Sequence, residues 1–495
     1  MQELQLIHID KFFPPNTHAC ADVSLTVRAG EVVALLGENG AGKTTLMRIA
    51  SGVTRPDGGS IVKDGERVVL GSPRDAIRRG IGMVHQHFML IPRLSVAENV
   101  VLGFEEGGAV LDRRAMARRV EAFAAEVGLA VAGDRSVEDL AVGEQQRVEI
   151  VRALYRGVEV LILDEPTAVL TPAETEGLFR VVREMAAGGK SVVFISHKLH
   201  EVSEVADRVL ILRNGRLVAE RPPSAPLGEL AALMVGEPVE APSPSRRPAS
   251  SEPVLSLGGA RSRGEPGLRD VSLSVLSGEI VGIAGVDGNG QVALEEALVG
   301  TRSLEGGTFT LAGERLERAS PAAIRRRGLV RIPSERHHDG MVAQASVWEN
   351  LVLFDLAELG FARHGLLDVR AARRRAEQLV KNYDIRCGSI DQKLAELSGG
   401  NQQKVIVARE LGAGPRVVVA AQPTRGLDVG ATASVHKALI ELRERGGAVL
   451  LISADLDEIC QLADRVYVLY EGRVSQPVAP DDREQIGRLM AGVAA

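Results

Sequence analysis

The sequence predicts an α/β protein built from two similar halves, and three observations lead to that prediction. The first is a glycine-rich loop, Gly37 to Thr44, that follows an apolar run typical of a buried strand and precedes a run of helix formers. The second is an internal repeat, because Asp22 to Leu25 recurs as Asp270 to Leu273. The third is a Pro- and Ser-rich stretch between the halves, Glu237 to Pro253, which is typical of an extended surface linker.

We therefore predict a first domain at residues 1–237, a linker at 238–253 and a second domain at 254–495. Within each half, strands and the loop come first, a helical stretch follows, and apolar β-branched runs typical of buried parallel strands return. In the first half the helical stretch covers about Ala97 to Arg156. The turn Arg213 to Arg216 indicates a hairpin. Each domain is thus predicted to be an α/β core with a helical subdomain and an antiparallel β subdomain.

Composition limits the class of protein. A chain of 495 residues with 45% hydrophobic residues can bury large cores, and its net charge of −6 argues against wholesale nucleic-acid binding. No apolar run approaches the roughly 20 residues needed to span a bilayer. The N-terminus lacks the segments of a signal peptide, and the three scattered cysteines indicate neither disulfides nor a metal site. We expect a cytosolic protein without a membrane-spanning segment.

The glycine-rich loop matches the phosphate-binding pattern G-x-x-x-x-G-K-[ST]. Its glycines let successive backbone N–H groups point at a di- or triphosphate, and the helix that follows adds the positive end of its dipole. Lys43 supplies a charge for the β- and γ-phosphates, and the Thr44 hydroxyl is a candidate Mg²⁺ ligand. The alternative is a glycine-rich turn that carries a lysine by chance. The predicted binding residues are Gly37, Glu38, Asn39, Gly40, Ala41, Gly42, Lys43, Thr44 and Thr45.

Two carboxylates end the apolar strand that is predicted at Leu161 to Pro166. At that edge of the sheet, Asp164 is placed to hold Mg²⁺ through water. Glu165 is placed to orient and deprotonate an attacking water. The alternative is an acidic turn at the end of a strand.

The motif order, with Leu140 to Gln146 before the two carboxylates and Ile195 to His197 after them, resembles the ABC ATPase domain. The resemblance covers nearly the whole chain in both halves and implies ATP and Mg²⁺ as cofactors. It also implies that Gln86 links Mg²⁺ to the transport partner, that His197 contacts the γ-phosphate and that Phe13 stacks on adenine. A structural role for the histidine and a core position for Phe13 or its neighbour Phe12 are the alternatives.

The signature loop of that family occurs intact in the second half, where Ser398, Gly399 and Gly400 would bind a γ-phosphate presented by another domain. The rest of the second half departs from the family pattern, so we expect no hydrolysis there and leave weak nucleotide binding open. The first half departs from the signature at Ala141. In the second half, Gln291 replaces the loop lysine, Val292 the Mg²⁺-binding hydroxyl, Ala421 and Gln422 the two carboxylates, Ala454 the histidine, and Ser334 or Glu335 the glutamine.

ABC domains pair head to tail, so the resemblance implies that each nucleotide lies between the phosphate loop of one domain and the signature of the other. Such pairing would place Lys43 and Glu165 against Ser398, Gly400 and Asp428 in one complete site. The other site would be degenerate on both faces. Whether the halves pair within one chain or between two chains is open at this point.

Tandem ATPase halves with Leu397 to Lys404 and Ala420 to Ala431 are similar to the ATP-binding subunits of sugar-type importers, and Gly82 to Gly103 is most similar to the nucleoside and simple-sugar group. The resemblance implies membrane permease subunits and an extracytoplasmic solute-binding protein as partners, no nucleic acid, and a peripheral position on the cytoplasmic face of the membrane. One alternative is a soluble tandem ATPase that acts on ribosomes or DNA. Another is a module that binds nucleotide without turnover, which the intact Glu165 disfavours.

Overall fold

The computed structural model describes residues 3–14, 17–85, 88–104, 112–167, 170, 172–196, 198–236, 252–316, 318–354, 361–363 and 366–492. Contacts divide the chain into two compact units, Met1–Val239 and Glu240–Ala495. Among the residues described, no helix is both long and apolar enough to cross a membrane.

The first unit contains two sheets and a set of helices around them. Its strands are β1 (Leu4–Phe13), β2 (Thr17–Val27), β3 (Val32–Leu36), β4 (Gly58–Lys63), β5 (Glu66–Val68), β6 (Ile81–Val84), β7 (Val160–Asp164), β8 (Ser191–Ile195), β9 (Arg208–Arg213) and β10 (Arg216–Arg221). Its helices are α1 (Lys43–Ala50), α2 (Pro73–Arg78), α3 (Val96–Val101), α4 (Arg113–Glu126), α5 (Val142–Tyr155), α6 (Pro172–Ala187), α7 (Leu199–Val205) and α8 (Leu227–Val235).

The second unit repeats this order and also contains a two-stranded sheet, formed by Ala362–Arg363 and Leu366–Leu367. Its strands are β11 (Pro253–Arg261), β12 (Arg269–Leu276), β13 (Ile280–Ala284), β14 (Gly306–Leu311), β15 (Glu314–Arg315), β16 (Leu329–Ile332), β17 (Ala362–Arg363), β18 (Leu366–Leu367), β19 (Val417–Ala421), β20 (Ala448–Ser453), β21 (Arg465–Tyr470) and β22 (Arg473–Val474). Its helices are α9 (Gln291–Val299), α10 (Pro321–Arg326), α11 (Val347–Val352), α12 (Val369–Asn382), α13 (Gly399–Leu411), α14 (Val429–Glu444), α15 (Leu456–Leu462) and α16 (Arg483–Met490).

Each unit has one six-stranded sheet that is mostly parallel and one four-stranded antiparallel sheet. In the first unit the strand orders are β10-β9-β3-β8-β7-β6 and β2-β1-β4-β5. In the second unit they are β16-β19-β20-β13-β21-β22 and β12-β11-β14-β15. The strands β3, β7 and β8 are buried along their whole length, as expected for parallel strands covered on both faces.

The predicted fold class is confirmed, including the helical subdomain and the antiparallel sheet. Helices α3, α4 and α5 fall in the stretch predicted to be helical, and their apolar faces share one core. The predicted hairpin joins β9 to β10, with Asn214 and Gly215 at φ of 49° and 73° as its turn requires. Strands β3, β8 and β7 are adjacent and parallel. The loop after β3 and the end of β7 therefore lie at the same edge of the sheet, with β8 between them.

Candidate active site

The phosphate loop in the first unit lies between β3 and the first turn of α1. Lys43 is 5% exposed, and its Nζ atom donates hydrogen bonds to the carbonyl oxygens of Gly37 at 2.6 Å and Glu38 at 3.0 Å. Gly42 precedes α1 with φ of 102°, and a Cβ there would lie 2.1 Å from the carbonyl oxygen of Ala19. Glycine is therefore required at this position for both conformation and space.

Thr44 and Asp164, the two described residues predicted to serve as metal ligands, lie together. Their side chains are hydrogen-bonded, although 120 residues of chain separate α1 from the end of β7. Burial, and next the negative charge of Glu165, raise the pKa of the Asp164 carboxyl to about 6, against the opposing effects of Lys43 and Thr44. A cation beside this carboxyl would favour its charged form.

Glu165 follows the end of β7 in a restricted backbone conformation. Its φ is 48°, in the left-handed region that non-glycine residues rarely adopt, and its N–H donates to the carbonyl oxygen of Ile195 at 3.0 Å. The equivalent Gln422 has φ of 46° and donates to Ile452 at 2.7 Å. The two units therefore share this backbone feature, whereas only the first unit has a carboxylate there.

A buried carboxylate that the sequence prediction did not include joins the two loops beside this site. Glu201 is 8% exposed, and its Oε2 atom accepts hydrogen bonds from Thr167 Oγ1 and Ser196 Oγ, both at 2.8 Å. Thr167 lies in the loop after β7, and Ser196 directly precedes His197. The internal repeat could have pointed to Glu201, because Thr167 and Glu201 recur in the second half as Thr424 and Glu458. Those two residues make the same 2.8 Å contact in the second unit.

Of three other predicted residues, the structure describes Phe13 alone. Gln86 and His197 lie outside the described residues. Phe13 is 41% exposed at the end of β1, and the Nζ atom of Lys11 is 5.5 Å from the centre of its ring. Phe12 is 49% exposed, so neither phenylalanine belongs to the core. Stacking of Phe13 on adenine stays a prediction.

Two side chains of the second unit's phosphate loop already have hydrogen-bond or ion-pair partners in this structure. Gln291 Nε2 donates to the carbonyl oxygen of Val286 at 2.8 Å, and Gln291 Oε1 accepts from the backbone N–H of Asn289 at 3.0 Å. Asp287 accepts a hydrogen bond from Gln422 Nε2 at 3.2 Å and pairs with Arg425 at 3.3 Å. The backbone N–H of Asn289, which would have to bind a phosphate oxygen, is therefore already hydrogen-bonded. The carboxylate of Asp287 adds a negative charge that would repel a phosphate.

The predicted signature residues of the second unit converge at the start of α13. Ser398 stands at the N-terminal end of this helix, where its hydroxyl accepts a hydrogen bond from Asn401 Nδ2 at 2.9 Å and from no backbone N–H of the first turn. A Cβ at Gly400 would lie 2.9 Å from the Cβ of Ala431 and 3.8 Å from Asp428 Oδ2. Asp428 itself caps α14 by accepting from the N–H of Ala431 at 2.8 Å. Ser398, Gly400 and Asp428 are thus neighbours within this unit.

Comparison with known proteins identifies the family. A family profile described as ABC transporter matches residues 20–168 and 268–425. The chain is 42% identical to a guanosine import ATP-binding protein of Bacillus subtilis, over 99% of this chain and 97% of that protein. It is 40% identical to a nucleoside import ATP-binding protein of Lactococcus lactis, over 99% and 98% of the two chains. It is 41% identical to a ribose import ATP-binding protein of Rubrobacter xylanophilus, over 99% of both.

The chain therefore belongs to the ABC transporter family, and it is an ATPase with two ABC domains. A solved structure titled RNase-L Inhibitor matches 99% of this chain and 92% of its own length, with a TM-score of 0.66 and 20% identity. A complex of an archaeal ribosomal stalk protein with an archaeal ribosome recycling factor matches 98% and 92%, with a TM-score of 0.65 and 20% identity. At that identity these two structures support the fold alone.

Proposed function

We propose that this chain is the ATP-hydrolysing subunit of an importer for nucleosides or simple sugars. It acts with membrane permease subunits and an extracytoplasmic solute-binding protein, from the cytoplasmic face of the membrane. The observation that carries this proposal is identity of 40–42% along the whole chain to proteins named for guanosine, nucleoside and ribose import. A soluble ATPase acting on ribosomes is the alternative, and the two structures at 20% identity, which support the fold alone, do not favour it.

The first unit supplies the chemical groups for hydrolysis. Lys43 exchanges the carbonyls of Gly37 and Glu38 for phosphate oxygens when ATP binds, and the loop N–H groups hold the same phosphates. Thr44 and Asp164 fit Mg²⁺, a hard cation that takes oxygen ligands and is bound through few protein groups plus phosphate and water. Mg²⁺ in this place neutralises phosphate charge. Glu165 holds the attacking water and accepts its proton.

We further propose that the second unit completes the site of the first. Ser398, Gly399, Gly400 and Asp428 would approach the γ-phosphate held by Lys43, either within one chain or between two chains. The position of Ser398 and Gly400 at the start of α13 supports this role, because a helix start presents unpaired N–H groups to an anion, and Asp428 at the start of α14 lies beside them. His197, Gln86 and Phe13 remain proposed as the contacts to the γ-phosphate, to Mg²⁺ and the permease, and to adenine.

Attachment to the permease distinguishes the two candidate functions. When the chain is expressed with its candidate permease subunits, we expect it to sediment with membranes and to support ATP-dependent uptake of radiolabelled guanosine or ribose. Without the permease it should wash off the membranes. Recovery in ribosome fractions, with no uptake of either solute, would favour the ribosomal factor instead.

The number of ATP molecules bound per chain tests whether the phosphate loop of the second unit binds nucleotide. We expect the Glu165→Gln variant to bind one ATP per chain in equilibrium dialysis with Mg²⁺, because the second loop lacks its lysine, the backbone N–H of Asn289 is already bonded to Gln291, and Asp287 adds a negative charge. The matched variant Lys43→Ala should bind close to none. Two ATP molecules per chain in the first variant would contradict this expectation.

A further inference from the structure

Arg336 lies against the start of the signature helix α13 in the second unit. It begins a π-helical turn, Arg336–Gly340, that follows strand β16. Its Nη1 atom donates a hydrogen bond to the carbonyl oxygen of Gly399 at 3.2 Å. Its Nη2 atom lies 3.2 Å from the position that a Cβ at Gly399 would take, so the absence of a side chain there makes room for the guanidinium.

The charge of this guanidinium has no carboxylate to balance it. Arg336 forms no ion pair with any residue that the structure describes, and its Nε atom is buried without a hydrogen-bond partner. Burial lowers the pKa of the Arg336 guanidinium. Other arginines nearby are paired, such as Arg409 and Arg325, which lie 2.8 Å and 2.6 Å from Glu410. Burying a charge without a partner costs stability.

The position adds a second unfavourable effect. The N-terminus of a helix carries a partial positive charge, so a cation beside it is repelled. Desolvation and the helix dipole therefore both disfavour the charged guanidinium of Arg336 when no phosphate is bound at the helix start. A phosphate group at the helix start would offset both effects at once. The arrangement thus fits an anion at α13 better than it fits a purely structural role.

The two halves differ at this position together with the signature. Arg336 is the fourth residue after strand β16, and the fourth residue after the equivalent β6 is Phe88. In the first half Val142 also stands in place of Gly399. The arginine and the glycine that makes room for it occur in the half that retains the signature serine, and both are replaced in the half that has Ala141.

The residues before Arg336 fix its segment to the core of the same unit. Ser334 Oγ donates a hydrogen bond to the buried carboxylate of Glu295 in α9 at 3.0 Å. Glu335 lies 3.9 Å from Arg425, in the loop after β19. Arg336 therefore connects the first turn of α13 to a segment that is anchored on the parallel sheet.

We propose that Arg336 is a positioning residue for ATP hydrolysis. It orients the first turn of α13 through the carbonyl of Gly399, so that Ser398 and the N–H of Gly400 meet the γ-phosphate, and its charge strengthens the positive field there. This inference rests on the proposed function, in which the second unit's signature completes the site of Lys43. In the proposed arrangement the signature meets the γ-phosphate of ATP that Lys43 already holds, so loss of Arg336 affects turnover more than the first binding of ATP.

The test compares Arg336→Met, Arg336→Lys and the control Arg386→Met in the assembled permease complex. Arg386 is an exposed arginine on the same helical subdomain, 3.9 Å from Asp384. We expect Arg336→Met to lower kcat about tenfold, the effect of losing one charge-assisted hydrogen bond, with KM for ATP within about twofold. Arg336→Lys should retain part of the rate because it keeps the charge, and Arg386→Met should match the parent.

Stability gives the readout that a merely structural arginine would not give. Because Arg336 is a partly buried charge with no ion-pair partner among the described residues, the unfolding midpoint of nucleotide-free Arg336→Met should equal or exceed that of the parent chain. Parent-like turnover in Arg336→Met, a loss of turnover matched by a lower unfolding midpoint, or an equal loss in Arg386→Met would each overturn the inference. If the parent complex hydrolysed no ATP, the proposed function itself would fail, which is a separate result.

Discussion

Replacing Glu165 with glutamine should lower ATP turnover by about 10²–10⁴-fold, because the amide cannot accept the proton of the attacking water. Binding should persist, since Lys43 and the loop amides are unchanged. The measurement is the steady-state ATPase rate of the assembled complex, together with ATP binding by equilibrium dialysis. Lys43→Ala should instead weaken binding itself. Turnover at the parent rate in the Glu165→Gln variant would show that another group is the base.

The chain offers a matched control for this experiment. Gln422 occupies the same left-handed backbone position in the second unit, with φ of 46° against 48° for Glu165. Gln422→Glu therefore adds the carboxylate in the same local geometry. We expect it to leave the rate unchanged and to restore no activity to Glu165→Gln, because Ala421 and Gln291 still lack the metal ligand and the cation.

Much of the first-half site could be predicted from the sequence, because its groups belong to contiguous motifs. The loop pattern fixes Lys43 and Thr44, and an apolar strand that ends in two carboxylates fixes Asp164 and Glu165. The hydrogen bond between Thr44 and Asp164 depends on the strand order. Because β3, β8 and β7 are adjacent, the helix after β3 begins near the end of β7. The predicted fold rests on the same alternation of strands and helices.

The parts that could not be predicted depend on contacts between common residue types. Glu201 belongs to no known motif, and although the repeat matches it to Glu458, its hydrogen bonds to Thr167 and Ser196 depend on contacts that the sequence does not specify. Glutamine in place of lysine at Gln291 indicated weak nucleotide binding in the second half. The hydrogen bond from the backbone N–H of Asn289 to the Gln291 side-chain oxygen, however, depends on the conformation of that side chain. Sequence patterns carry no information of that kind.

The last expected result concerns which signature serves the intact site. If the second unit completes the site of Lys43, Gly400→Asp should lower turnover by at least about 100-fold, the size of effect known for loss of a donor to a developing negative charge. Gly143→Asp in the first unit should be mild, because it would face a loop that lacks its lysine. The steady-state ATPase rates of the two variants are compared in the same assembled complex.

Both substitutions also displace a neighbour, so a second pair of variants controls for packing. A Cβ at Gly400 would lie 2.9 Å from Ala431, and one at Gly143 would lie 1.9 Å from the carboxylate end of Glu174. Ser398→Ala and Ala141→Ser change one exposed hydroxyl each and leave the packing intact. We expect Ser398→Ala to lower turnover and Ala141→Ser to leave it near the parent rate, since only Ser398 would meet the γ-phosphate. Larger losses from the first-unit variants would favour an active site formed by two first units from separate chains. Equal losses in both pairs would also contradict completion of the site by the second unit.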